Sequence, residues 1–152
     1  PESVRRRAAG LMIAGTSAAL LTGCAPVVAL ESAPDAANPA CANVTVRLPD
    51  VLGDLVRRET NAQATGAWGD PTGVVLHCGV DVPGPSTFEC REFDGVEWLI
   101  DDTNADAVVA TTFGRDPAVG VAIDMSIPAP GVLLADLAPA IVSAGPAEAS
   151  CL

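Results

Sequence analysis

The chain has 152 residues and a formal charge of −11, from 19 acidic side chains against eight basic ones, all of them Arg. At 49% hydrophobic it is too apolar for a wholly disordered chain, and its length suits one domain. An acidic chain without Lys lacks the clustered cations that nucleic acid requires, so that class of partner is excluded.

In chain order, Arg5, Arg6 and Arg7 come first, followed by an apolar, small-residue stretch over 8–21. Fourteen residues are fewer than the about 20 a helix needs to cross a hydrocarbon core, but they match the core of a signal peptide. The stretch ends in Leu21-Thr22-Gly23-Cys24, which resembles the bacterial lipobox. Small residues at Thr22 and Gly23 leave a peptidase access to the backbone, and the Cys24 sulfur is the nucleophile that diacylglycerol can alkylate. The expectation is a lipoprotein signal peptide over 1–23 and cleavage before Cys24. Two acyl chains of the palmitate type then anchor the chain to the membrane, at about 0.8 kcal/mol per buried methylene. The alternatives are an ordinary secretory signal with an incidental Cys24, or a buried core helix. Cleavage leaves five Arg against 18 acids, a charge of −13 that repels anionic headgroups. Residues 24–40, with Pro26, Pro34 and Pro39 among Ala, Ser and Asn, read as the lipidated Cys and a flexible tether. Its reach would be roughly 20–25 Å, which holds a single extracytoplasmic domain (41–152) off the membrane.

Four further cysteines, Cys41, Cys78, Cys90 and Cys151, favour two disulfides in an exported body. Three pairings are open. The expectation is Cys78–Cys90 closing a hairpin-like loop and Cys41–Cys151 joining the domain's ends. A metal centre is disfavoured, because no Cys-x-x-Cys exists and the only histidine, His77, is adjacent to Cys78. Neighbours on a strand point to opposite faces.

Within the body, Leu48, Val51, Leu52 and Leu55 fall at helical spacing, and Pro49 with Asp50 suits a first turn. The pattern predicts a helix over 48–63, with Arg57 and Arg58 towards its negative end. Gly66, Gly69 and Pro71 then break the chain around Trp68. Strands are predicted over 74–80, 87–93, 96–101, 106–113 and 119–127, the last on condition that Asp124 faces solvent. Asp94-Gly95 reads as a two-residue hairpin turn. A second helix starts near Val132, with Pro139 expected to kink or divide it. The fold class is therefore α+β, a four- to five-stranded, mainly antiparallel sheet with two helical segments on one face and two disulfides.

A Cys before Leu48-Pro49, then Trp68-Gly69-Asp70-Pro71, Cys78-Gly79-Val80, Gly95-Val96-Glu97-Trp98, Gly114-Arg115 and a terminal Cys151 follow in order. Over roughly 41–152 this resembles the actinobacterial lipoproteins grouped as domain of unknown function 3515. The resemblance implies an exported, membrane-attached protein of a high-GC Gram-positive cell and transfers no activity.

Candidate sites are few. Asp102-Thr103-Asn104-Ala105-Asp106 opens like a calcium loop, but Ala107 stands where Gly is needed and Phe113 where the bidentate Glu belongs. It reads as an acidic turn. Trp68 and Asp70, on a Gly/Pro-constrained loop, form the best binding-loop candidate; the structural alternative is that Trp68 plugs the sheet and Asp70 caps the turn. Arg115 could grip an anionic ligand or pair with a carboxylate. The serines lack a G-x-S-x-G context, so no catalytic residue, metal or cofactor is assigned. The expectation is a non-catalytic binding or accessory module on the extracytoplasmic face of the membrane, with an envelope protein as its possible partner. The alternatives are a small hydrolase with an Asp/Glu pair and a structural subunit of a membrane complex.

Overall fold

The computed structural model describes residues 26–152, so the predicted signal peptide, its cleavage point and Cys24 lie outside the described residues. The elements are α1 (Pro39–Thr45), β1 (Val51–Leu52), β2 (Leu55–Arg58), β3 (Thr65–Trp68), β4 (Val74–Val80), β5 (Glu89–Phe93), β6 (Val96–Asp101), β7 (Ala107–Thr112), β8 (Ala118–Asp124) and α2 (Pro130–Val142). The α+β class holds. The sheet, however, has eight antiparallel strands rather than four or five, in the order β1-β2-β3-β4-β8-β7-β6-β5.

Two of the three extra strands, β1 and β2, come from the segment predicted to be helical, and the third, β3, from the stretch around Trp68 read as a break. Leu52 pairs with Leu55 across Gly53, whose φ is +58°, so β1 and β2 form a tight hairpin. A turn of this kind overrides a four-position apolar period. The first helix lies earlier, over Pro39–Thr45, where the Asn38 side chain accepts from the Ala40 N–H at 3.0 Å and Pro39 takes the first helical position. Arg57 still serves a helix end, across the fold rather than along the chain: its guanidinium donates to the carbonyls of Thr45 and Leu48.

The later strands fall close to their predicted spans, and Asp94 and Gly95 both take positive φ in the β5–β6 turn. Asp124 is exposed, but β8 ends there rather than at Ile127. Helix α2 runs undivided through Pro139. That residue is exposed, so water can satisfy the Ala135 carbonyl that loses its ladder partner.

One face of the sheet carries Val74, Leu76 and Cys78 of β4, Val119, Val121 and Ile123 of β8, and Val96 and Trp98 of β6. Against it pack Cys41 and Val44 of α1 and Leu133, Leu134, Leu137 and Ile141 of α2. His77 is half-buried beside the fully buried Cys78, in keeping with alternation along the strand.

The disulfide pairing differs from expectation: Cys41 joins Cys78, and Cys90 joins Cys151. Cys78 sits on the inner face of the central strand β4, where α1 packs, and is therefore opposite Cys41 rather than free to reach edge strand β5. Cys90 points to the other face of β5, where the C-terminal segment arrives.

Residues 26–40 also depart from the reading as a free tether. Val28 bridges Thr60, the Leu30 N–H donates to Asn61 Oδ1 at 2.8 Å, Ser32 Oγ accepts from the Gln63 N–H, and Ala36 is buried. The segment is part of the body. It crosses the sheet at Gly79, whose φ is +88°; a Cβ there would lie 2.3 Å from the Asp35 carbonyl carbon. The C-terminal segment crosses at Gly114 (φ +66°) in the same way, over the backbone of Ala149. Only glycine allows both the backbone conformation and the close approach at these two crossings.

Candidate binding site

The residues singled out by sequence do not converge. Trp68 is fully buried, and its indole N–H donates to the Pro49 carbonyl at 2.9 Å, so the ring plugs the fold and presents no binding face. Asp70 is exposed on the next turn, 3.3 Å from Nη1 of Arg58, whose own side chain is 10% exposed. Arg115 lies at the opposite end of the sheet, between β7 and β8. It pairs with no carboxylate within 4.0 Å among the described residues: Nη1 donates to the Gly145 carbonyl at 2.7 Å. Burial pulls its pKa below the usual arginine value. The segment 102–106 is an acidic turn between β6 and β7, with Asn104 Oδ1 accepting from the Asp106 N–H. Among the described residues, one group of three Cys, His or carboxylate ligand atoms gathers within 4.8 Å, that of Cys90, Glu97 and Cys151. Its two sulfurs are bonded to each other, which leaves the carboxylate to do something else.

Glu97 clamps the C-terminus. Its carboxylate accepts the Cys151 N–H at 2.6 Å and the Ser150 hydroxyl at 2.7 Å, and these bonds hold its pKa below the usual carboxylate value. A depressed folded-state pKa stabilises the fold above the unfolded-state value, about 4.3, and this contribution is lost as pH falls through the folded value. Glu97→Gln keeps an acceptor but cannot titrate. The stability difference between wild type and Glu97→Gln, measured by urea unfolding, is expected to be constant from pH 7 to pH 5 and to shrink below it. A difference independent of pH would show that Glu97 does not act as a charged clamp.

A cavity lies elsewhere, between the first turns of α2 and the β5 side of the inner sheet face. It measures about 690 Å³, within the range of small-molecule sites. The registers Glu89↔Ile100 and Phe93↔Val96 line up the inner face of β5 beside that of β6, and Asp101↔Val109 brings β7 next to them. Phe93, Ile100 and Val108 form the sheet wall, and Pro130, Leu134 and Ala135 the helix wall. At the rim, Arg91 and Glu89 are paired at 2.8 Å, with Asp102 nearby. Sequence reasoning missed this site because its lining residues alternate and recur as core residues do; nothing in their pattern shows that α2 stops short of covering them.

The family profile described as "Protein of unknown function (DUF3515)" matches residues 8–149. The chain belongs to that family. No curated protein and no solved structure shows a significant match to it. The short motifs singled out in the sequence have structural work in the fold. Cys78-Gly79 takes the α1 bridge and the N-terminal crossing, Gly114-Arg115 receives the C-terminal segment, and Glu97 clamps its end. None of these residues lines the apolar cavity.

Proposed function

We propose that this DUF3515 protein is a lipid-anchored binding module on the extracytoplasmic face of the cell membrane. The observation that carries the binding role is the cavity walled by Phe93, Ile100, Val108 and Leu134: a preformed apolar space of ligand size whose charged groups stand at the rim. The anchor rests on the order of Arg cluster, short apolar core and Leu21-Thr22-Gly23-Cys24. Two disulfides suit an exported body. Among the described residues no helix is long and apolar enough to cross a membrane, so attachment in this reading falls to Cys24.

The test is fractionation of cells fed an alkyne-tagged palmitate. Wild-type protein is expected in the membrane fraction carrying the tag, and Cys24→Ala in the soluble fraction without it. Membrane retention of untagged Cys24→Ala would overturn the anchor.

A further inference from the structure

The position of the cavity relative to the N-terminus narrows its ligand. The strand registers place Trp68, Val74, Ile123, Val108, Asp101 and Glu89 at one end of the sheet. The described chain begins at that same end: the Pro26 carbonyl accepts from Arg58 Nη2 at 2.8 Å, while Arg58 Nη1 donates to the Gly69 carbonyl, one residue beyond Trp68. From there residues 26–35 run to the far end, where the Asp35 N–H reaches the Gly79 carbonyl. Cys24 is two residues before Pro26, a span of at most about 7 Å. In the anchored reading a lipid on Cys24 keeps this end of the sheet next to the bilayer, with at most about 7 Å of chain between them.

The cavity is open at the same end. Its exposed lining residues include Glu89, Asp102, Ala129 and Val132, and a second apolar depression continues from Ala129 and Val132 past Ile127 to Leu55, which lies against Gly69. Apolar surface thus runs from Leu55 to the cavity mouth, with Val132 58% exposed along it. The walls offer aliphatic groups and one phenyl ring. The rim holds one cation, already engaged by Glu89, against two carboxylates. Such a site selects an apolar chain and does not favour an anionic head.

We propose that the cavity takes an acyl chain of a zwitterionic or uncharged membrane lipid, drawn directly from the bilayer on which the protein is anchored. The inference rests on the anchored reading above. Phe93 and Ile100 flank Trp98 on the inner strand faces, so a chain seated in the cavity comes close to that indole.

The test uses the full lipidated chain reconstituted into phosphatidylcholine vesicles whose acyl chains carry bromine, a contact-range quencher of tryptophan. Two variants narrow the cavity from opposite walls, Ala135→Phe from the helix and Val108→Phe from the sheet; both positions are half-buried. Wild type is expected to lose at least about a third of its fluorescence relative to unbrominated vesicles. Either folded variant should lose less than half as much while floating with the vesicles equally well. Equal quenching in wild type and variants, or none in floating wild type, would overturn the proposal. So would uptake of a polyene fatty acid from solution without quenching by brominated lipid, since the source would then not be the bilayer. Failure of the wild type to float at all identifies the anchored reading, not the cavity, as the error.

Discussion

Trp68→Ala is expected to lower the unfolding free energy by about 3–5 kcal/mol, the range for emptying a large buried aromatic site. The indole is fully buried in β3, a strand buried along its whole length between β2 and β4. It folds back over Gly66, where an added Cβ would lie 2.7 Å from the ring and 2.8 Å from Leu48. Leu48 also anchors the stretch from α1 to β1, and the indole N–H holds the Pro49 carbonyl of that stretch. Truncation therefore opens a cavity and orphans a carbonyl together. Trp68→Phe keeps much of the ring volume and loses the hydrogen bond, so a loss of roughly 1–3 kcal/mol is expected. Urea unfolding of the two variants measures both. A loss below about 1 kcal/mol for Trp68→Ala would return this residue to the exposed, ligand-facing role that a Gly/Pro-constrained loop suggests.

The contrast shows which features the sequence makes legible. The later strands could be read because β-branched runs are separated by turns with strong local chemistry, such as Asp94-Gly95, where both residues take positive φ. Helix α2 was readable from Leu133, Leu134, Leu137 and Ile141, and exposure of Pro139 lets it continue undivided where a kink or a division was expected. The segment over 48–58 failed for a physical reason: four apolar residues at helical spacing also fit two short strands folded at Gly53, and pairing of β2 with β3 decides between them. The tether failed because Pro, Ala and Ser composition reports low intrinsic order and not docking. The bonds that hold 26–38 come from partners far along the chain, such as Asn61 and Gly79.

The candidate site was the least legible part. Trp68, Asp70 and Arg115 attracted attention as unusual residues, and the structure gives each a bond to another part of the chain. The cavity is instead made of ordinary ones, Ile100, Val108, Leu134 and Ala135. What makes them a site is the place where α2 begins relative to edge strand β5. That is a property of the tertiary arrangement and leaves no local signal in the sequence.

Of the two disulfides, Cys41–Cys78 is expected to contribute more to stability, although it closes the shorter loop. On the chain-entropy model a separation of 37 residues gives about 3.9 kcal/mol and one of 61 about 4.3 kcal/mol, so loop length alone favours Cys90–Cys151 slightly. Packing reverses the order. Cys41 and Cys78 are fully buried between α1 and β4 in the main core, and replacing both by Ala leaves a void there, whereas Cys90 and Cys151 are half-exposed. Glu97 and the Gly114 crossing also retain the C-terminal segment when its bridge is gone. Cys41→Ala/Cys78→Ala is therefore expected to cost roughly 5–6 kcal/mol, and Cys90→Ala/Cys151→Ala roughly 3–4.5 kcal/mol. Urea unfolding of the two double variants gives the ranking, and mass spectrometry of an unreduced digest gives the pairing itself. Equal losses, or a larger loss for Cys90→Ala/Cys151→Ala, would mean that the unfolded chain and not the packed core sets the value of each bridge. Recovery of a Cys78–Cys90 peptide would overturn the arrangement of both terminal segments, because Cys41 and Cys151 would then have to meet across opposite faces of the sheet.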